Sequence, residues 1–200
     1  MKNVVGLAVT ASMLACTVAY AAGDTAAGEA KSAACAACHG PDGNSVNPEW
    51  PKLAGQHPAY LVEQLRAFKA GHRQNATMAP MAKNLSEQDM QDLAAYFASQ
   101  PLKLTGAADA KLAQQGERLY RGGIAKRQVA ACMGCHGPSG QGIPPRFPRL
   151  SGQHAAYTTQ QLLAFKAGHR PSAADIMTTI AFRLSEQEIN ALAEYLSGLH

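Results

Sequence analysis

The chain has almost no cysteine to spare. Of its five cysteines, four fall in two short motifs, and the fifth, Cys16, lies in an N-terminal apolar stretch. Loss of that stretch leaves no thiol free for a structural disulfide. Segments with strand-like alternation are also missing, so no sheet is expected. The apolar run at residues 4–18 is too short, and too rich in small residues at its end, for a comfortable membrane span. No stripe of basic residues is present, which argues against a nucleic-acid partner.

Two CxxCH motifs stand out against these absences: CAACH at residues 35–39 and CMGCH at residues 132–136. Thiols three positions apart match the two vinyl groups of one porphyrin, and the following histidine is then held beside the iron. Cys35, Cys38, Cys132 and Cys135 are therefore the expected thioether attachments of two haem c groups, with His39 and His136 as proximal iron ligands. Zinc half-sites and thioredoxin-like dithiols are the competing readings. Structural zinc does not call for a histidine directly after each pair, and the dithiol needs a strand–helix setting that the sequence lacks.

The N-terminus agrees with this chemistry. Lys2 precedes the apolar run, and Ala19-Tyr20-Ala21 fits a small-residue cleavage site. Residues 1–21 read as a cleaved signal peptide that sends the protein to the periplasm, where c-type haem is attached. Lipid attachment at Cys16 is the alternative; the apolar run continues past it.

The rest of the chain is a tandem duplication. KLAGQHPAY at 52–60 matches RLSGQHAAY at 149–157, and QLRAFKAGHR at 64–73 matches QLLAFKAGHR at 161–170. Both keep the 97-residue spacing of the motifs. Later the spacing becomes 99, as LSEQDMQDLAAYF at 85–97 pairs with LSEQEINALAEYL at 184–196. Two residues are thus added between Arg170 and Leu184. At the front GEA pairs with GER at a spacing of 88, so about nine residues are added before the second motif. The period is that of a domain, not of a solenoid repeat. Two domains follow, 22–104 and 105–200, each small but with a porphyrin to enlarge its core.

Each lobe reads as helical. Helices are expected from Pro58 to Gly71 and from Ala155 to Gly168. Two more start after Ser86 and Ser185, the latter with Glu188 in a capping box. A further helix should run into each motif, from about Ala26 and about Lys111. The fold class is all-α, with two lobes.

The repeat also selects a sixth iron ligand. Met177 lies seven residues before Leu184, as Met78 lies seven before its partner Leu85. Met78 and Met177 are therefore the expected axial ligands of haem 1 and haem 2. Met133 lies inside a motif, and Met81 and Met90 pair with isoleucines, which points to core packing. The repeated histidines His57/His154 and His72/His169 offer bis-histidine ligation as the alternative. Lys52, its partner Arg149 and nearby Arg146 are candidates for haem carboxylate contacts, against the plainer reading of solvated loop charges.

The paired motifs, the PKLAGQ and PRLSGQ segments, the late methionines and the closing EYLSGLH together resemble the cytochrome c4 family over essentially the whole mature chain. The resemblance implies two tandem class I cytochrome c domains, each wrapped around one covalently attached haem and related by a pseudo-twofold axis, with haem propionates near their interface. It also implies electron transfer in the periplasmic respiratory chain, from a quinol-oxidising complex toward a terminal oxidase, by a carrier free or peripherally associated with the membrane. Such a protein is not an enzyme. The alternatives are a c-type subunit of a larger oxidoreductase, or a dihaem peroxidase. Charge divides unevenly: residues 22–104 carry seven Lys+Arg against eight Asp+Glu, and residues 105–200 carry ten against six.

Overall fold

A computed structural model describes residues 23–200. The expected signal peptide, 1–21, lies outside them. Among the described residues the chain forms helices α1 (Thr25–His39), α2 (Pro58–Lys69), α3 (Met78–Lys83), α4 (Glu87–Ser99), α5 (Ala110–Gly122), α6 (Met133–His136), α7 (Ala155–Lys166), α8 (Ile176–Phe182) and α9 (Glu186–Gly198). Strand content among the described residues is limited to two isolated bridges, Ile124 with Val129 and Ile143 with Phe147.

The caps follow the duplication. The Asp24 carboxylate accepts from Ala27 N–H at 2.9 Å, and Asp109 from Leu112 N–H at 2.9 Å. Ser86 and Ser185 both form capping boxes, with Asp89 and Glu188 as the reciprocal partners. Such caps satisfy donors that a helix leaves unpaired at its start.

In each lobe the first helix crosses the last: α1 packs on α4 and α5 on α9. The crossing has room for glycine alone. A Cβ on Gly28 would lie 2.0 Å from the Asp92 carbonyl oxygen, and one on Gly116 would lie 1.9 Å from that of Ala191. Below the crossings sit equivalent cores. Leu61, Val62, Met90, Leu93 and Phe97 fill one, and Tyr120, Leu184, Ile189, Leu192 and Leu196 fill the other.

Two expectations are corrected. The helix before the second motif does not run into it, because α5 stops at Gly122 and Gly123 turns the chain at φ +64°. The added residues form a loop pinched by Ile124 and Val129, and the motif receives its own short helix, α6. In the first lobe α1 does continue through His39. Met81 is 43% exposed and is not a core residue; in the six-residue α3 the buried position is its neighbour Ala82. Met90 is fully buried, as expected. The two residues added after Arg170 are absorbed where Ala174 and Asp175 adopt left-handed conformations, at φ +51° and +53°.

The lobes meet across a seam with pseudo-twofold pairing. Gln56 Nε2 donates to the Arg149 carbonyl at 3.0 Å, while Arg149 N–H donates to Gln56 Oε1 at 2.9 Å. Gln153 repeats this with Lys52, at 3.0 and 2.9 Å. His57 Nε2 donates to the Gln141 carbonyl at 2.8 Å, and His154 Nε2 to the Ser45 carbonyl at 2.9 Å. These amides replace water at backbone groups that the junction would otherwise leave unpaired.

Candidate haem sites

Both motifs are built alike. His39 and His136 are each 6% exposed. Their Nδ1 atoms lie 2.9 Å from the carbonyls of Pro51 and Pro148. A carbonyl only accepts, so Nδ1 carries the proton and Nε2 keeps a free lone pair. Burial lowers the pKa of both imidazoles, with the carbonyl bond opposing, so each ring is neutral at physiological pH.

The chain turns sharply after each histidine. Gly40 and Gly137 take φ of +78° and +79°, a region that suits glycine. The loop is pinned when Gly43 O accepts from Leu53 and Ala54, and Gly140 O from Leu150 and Ser151. These bonds set the proline carbonyl against its imidazole. A tyrosine clamps each turn from a different helix: Tyr96 donates to the Pro41 carbonyl at 2.9 Å, and Tyr120 to the Gly137 carbonyl at 2.6 Å.

The four thiols are half-buried and unpaired. Cys35 packs beside the first core and Cys132 beside the second. Burial raises the Cys35 thiol pKa and pushes that of Cys132 up to about 11, so both stay protonated at neutral pH. Met78 and Met177 are both half-buried, and each lies in the first turn of a short helix, Met78 as the first residue of α3 and Met177 as the second of α8. Asn75 Oδ1 accepts from Met78 N–H at 2.8 Å, and Ser172 Oγ from Met177 N–H at 3.1 Å. Paired neutral thiols, a buried neutral imidazole and a thioether in each lobe form a donor set that fits haem c.

The remaining candidates divide. His57 and His154 are engaged at the seam, each by Nε2, while His72 and His169 are exposed. Arg146 lies over the Phe147 ring at 5.7 Å. The sequence reading missed the polar seam residues Tyr60, Gln64, Arg73 and their partners Tyr157, Gln161, Arg170. A usable signal was present: these polar residues are identical in both copies at the 97-residue spacing.

The family model for cytochrome c matches this chain twice, at residues 25–101 and 113–200. Cytochrome c4 of Pseudomonas aeruginosa is 50% identical over 186 residues, covering 92% of each chain. The crystal structure of reduced recombinant cytochrome c4 from Pseudomonas stutzeri superposes with a TM-score of 0.87 at 47% identity, covering 90% of this chain and 100% of that one. The chain belongs to the cytochrome c4 family. Like other members it is an electron-transfer cytochrome with two covalently bound haem c groups. A more distant relative, the thiosulfate dehydrogenase electron acceptor of Thiomonas intermedia, is 40% identical over 182 residues, covering 86% of this chain and 82% of that one. No helix among the described residues is long and apolar enough to cross a membrane.

Proposed function

We propose that this cytochrome c4 family member is a periplasmic one-electron carrier, exported by a signal peptide at 1–21, that links a quinol-oxidising complex to a terminal oxidase. Its domains are 22–104 and 105–200. Haem 1 is held by Cys35, Cys38, His39 and Met78, and haem 2 by Cys132, Cys135, His136 and Met177. The iron supplies a reversible Fe(II)/Fe(III) couple when bound. The chain's own part is to hold the ligands still and keep water out, so that little rearranges when charge changes.

The observation that carries this reading is the equality of the two sites. Both histidines are equally buried and oriented by a proline carbonyl at the same 2.9 Å, and the methionines lie in the first turns of equivalent short helices. A peroxidase needs one displaceable iron position with acid–base groups beside it, and two like sites offer no such division. Carbon monoxide added to the reduced holoprotein at neutral pH is the test: neither iron should bind it rapidly. Rapid binding at one iron would contradict the carrier reading in favour of a peroxidase. The name of the Thiomonas relative favours one further donor, a thiosulfate dehydrogenase. Reduction of the purified protein by such an enzyme, compared with reduction by quinol-oxidising membranes, separates the two.

A further inference from the structure

Two insertions distinguish the second lobe from the first, and both act on α8, the helix that carries Met177. One is the loop added before CMGCH. Ile124 and Val129 exchange backbone hydrogen bonds at 2.9 and 3.1 Å, which closes residues 125–128 into a tip. Val129 is buried, and with Ile124 it belongs to the apolar cluster that also holds Ile180 and Leu184, on α8 and just beyond it. The other insertion follows Arg170. There Ala174 and Asp175 lead into α8 with φ of +51° and +53°. That conformation costs energy for a residue with a Cβ, and Asp175 lies two positions before Met177.

α8 has seven residues, too few to hold its own shape in water. Its end is held from outside. The carbonyls of Phe182, Arg183 and Leu184 follow one another, and each accepts from a cation. Lys166 of α7 donates to Phe182 at 3.1 Å and also to Leu184. Arg127, in the tip of the added loop, donates to Arg183 at 2.9 Å. Arg183 returns a bond, its guanidinium donating to the Gln128 carbonyl at 2.7 Å. Cations in this place also oppose the negative end of the helix dipole.

Arg127 pairs in addition with Glu188 and is the first cause of that carboxyl's lowered pKa. The other Glu188 oxygen accepts from Ser185 N–H at 2.8 Å in the capping box of α9. One guanidinium therefore ties together the added loop, the end of α8 and the start of α9. An exposed ion pair contributes little by itself. The grip comes from the two guanidinium–carbonyl bonds and the buried Val129 acting together. The first lobe builds this corner differently. Lys69 takes the place of Lys166 and donates to the Leu85 carbonyl at 2.6 Å. The cation on its capping box comes from α1: Lys31 pairs with Asp89 at 2.7 Å and Asp92 at 2.6 Å. Both partners are on α4, so Lys31 braces α1 against α4 where Arg127 braces a loop against α8.

We propose that Arg127 is a positioning residue for the second haem: through Arg183 and Glu188 it fixes α8, so that the Met177 thioether stays on the oxidised iron against the strain at Ala174 and Asp175. A thioether favours Fe(II), so slackness in the helix shows first in Fe(III). The inference rests on the assignment of Met177 as ligand, and the test keeps the two apart.

Imidazole added to the oxidised holoprotein at neutral pH displaces methionine, and loss of the Fe(III)–Met absorbance band reads the displacement. Met177→His keeps the band of the first haem alone, which identifies the step belonging to each haem. An incoming ligand binds only where methionine has left, so its apparent affinity scales with the open fraction of that iron. Arg127→Gln should keep both haems and the full band before imidazole is added. It should raise the imidazole affinity of the second haem about fivefold and leave the first unchanged. Arg183→Gln, which removes the returned bond, should shift the same step in the same direction. Arg127→Lys should recover part of the wild-type behaviour by keeping a cation beside both acceptors. Unchanged affinities in both Arg127→Gln and Arg183→Gln would overturn the proposal. Equal shifts at both haems would also overturn it, because they would mark a general loosening of the protein. A Met177→His protein that still shows both steps would overturn the ligand assignment, and the inference with it.

Discussion

Replacing Gly116 with alanine probes the crossing that organises the C-terminal lobe. The new Cβ would lie 1.9 Å from the Ala191 carbonyl oxygen and 2.7 Å from Tyr195 Cβ, where ordinary contact begins at 3.4 Å. One helix must therefore retreat by about 1.5 Å, the difference between 3.4 and 1.9 Å. The obstacle is backbone, so no side-chain rotation relieves it. Retreat of α9 withdraws Ile189, Leu192 and Leu196 from the core they fill. Overpacking of this kind costs about 1–3 kcal/mol, and a backbone clash belongs at the upper end. Alanine returns up to about 1 kcal/mol of helix propensity. The net loss is about 2 kcal/mol, which for a lobe of this size lowers Tm by roughly 10 °C. Gly122→Ala is the control, because nothing lies within 4 Å of its Cβ. Thermal unfolding of the holoproteins by far-ultraviolet circular dichroism reads both. A Gly116→Ala transition within about 2 °C of wild type, under ~0.5 kcal/mol, would refute the packing argument.

Three further outcomes follow from the lobes' differences. Asp92 is buried and bound by Lys31 at 2.6 Å and by Asp24 N–H at 2.9 Å; with Lys31 the main cause, its pKa falls from 3.8 to about 2. A depressed carboxylate stabilises the fold above its unfolded pKa, so this contribution is complete above about pH 4 and is lost as pH falls toward 2. Asp92→Asn should accordingly weaken the N-terminal lobe at neutral pH and flatten its acid sensitivity in that window, read by unfolding from pH 6 to 2; an unchanged acid limb would contradict it. The charge balance is −1 in residues 22–104 and +4 in 105–200, and positive charge disfavours Fe(III). The C-terminal haem should have the higher potential in low salt, with a gap that narrows as salt screens it; an N-terminal haem of higher potential at all salt concentrations would show that local contacts set the order. Cys132→Ala should lower the haem load or leave one thioether bond at the second site, and intact-mass spectra showing two normally attached haems would count against that site.

Duplication made much of this molecule legible. Comparing two copies of one lobe located both insertions, because the registers had to agree, and it set Met78 and Met177 at equivalent positions. The caps at Ser86 and Ser185 were legible because capping is local. Contacts made between lobes were harder to read. Gln56 and Gln153 look like solvated loop amides until the other lobe's backbone is set against them. The termination of α5 was hidden because helix-forming residues surround the Gly122-Gly123 pair. Met81 was read by analogy with Ile180, but Ile180 packs against the second core while Met81 is 43% exposed beside the buried Ala82.

Two equivalent His/Met sites are proposed to hold the two haems. A potentiometric titration that follows the Fe(III)–Met absorbance band in wild type, Met78→His and Met177→His tests this equivalence most directly. Imidazole favours Fe(III) relative to a thioether. Each variant should keep both haems attached, lose about half of the band, and lower the potential of one haem while leaving the other nearly unchanged. A variant that keeps the full band and both potentials would show that its methionine is not the ligand.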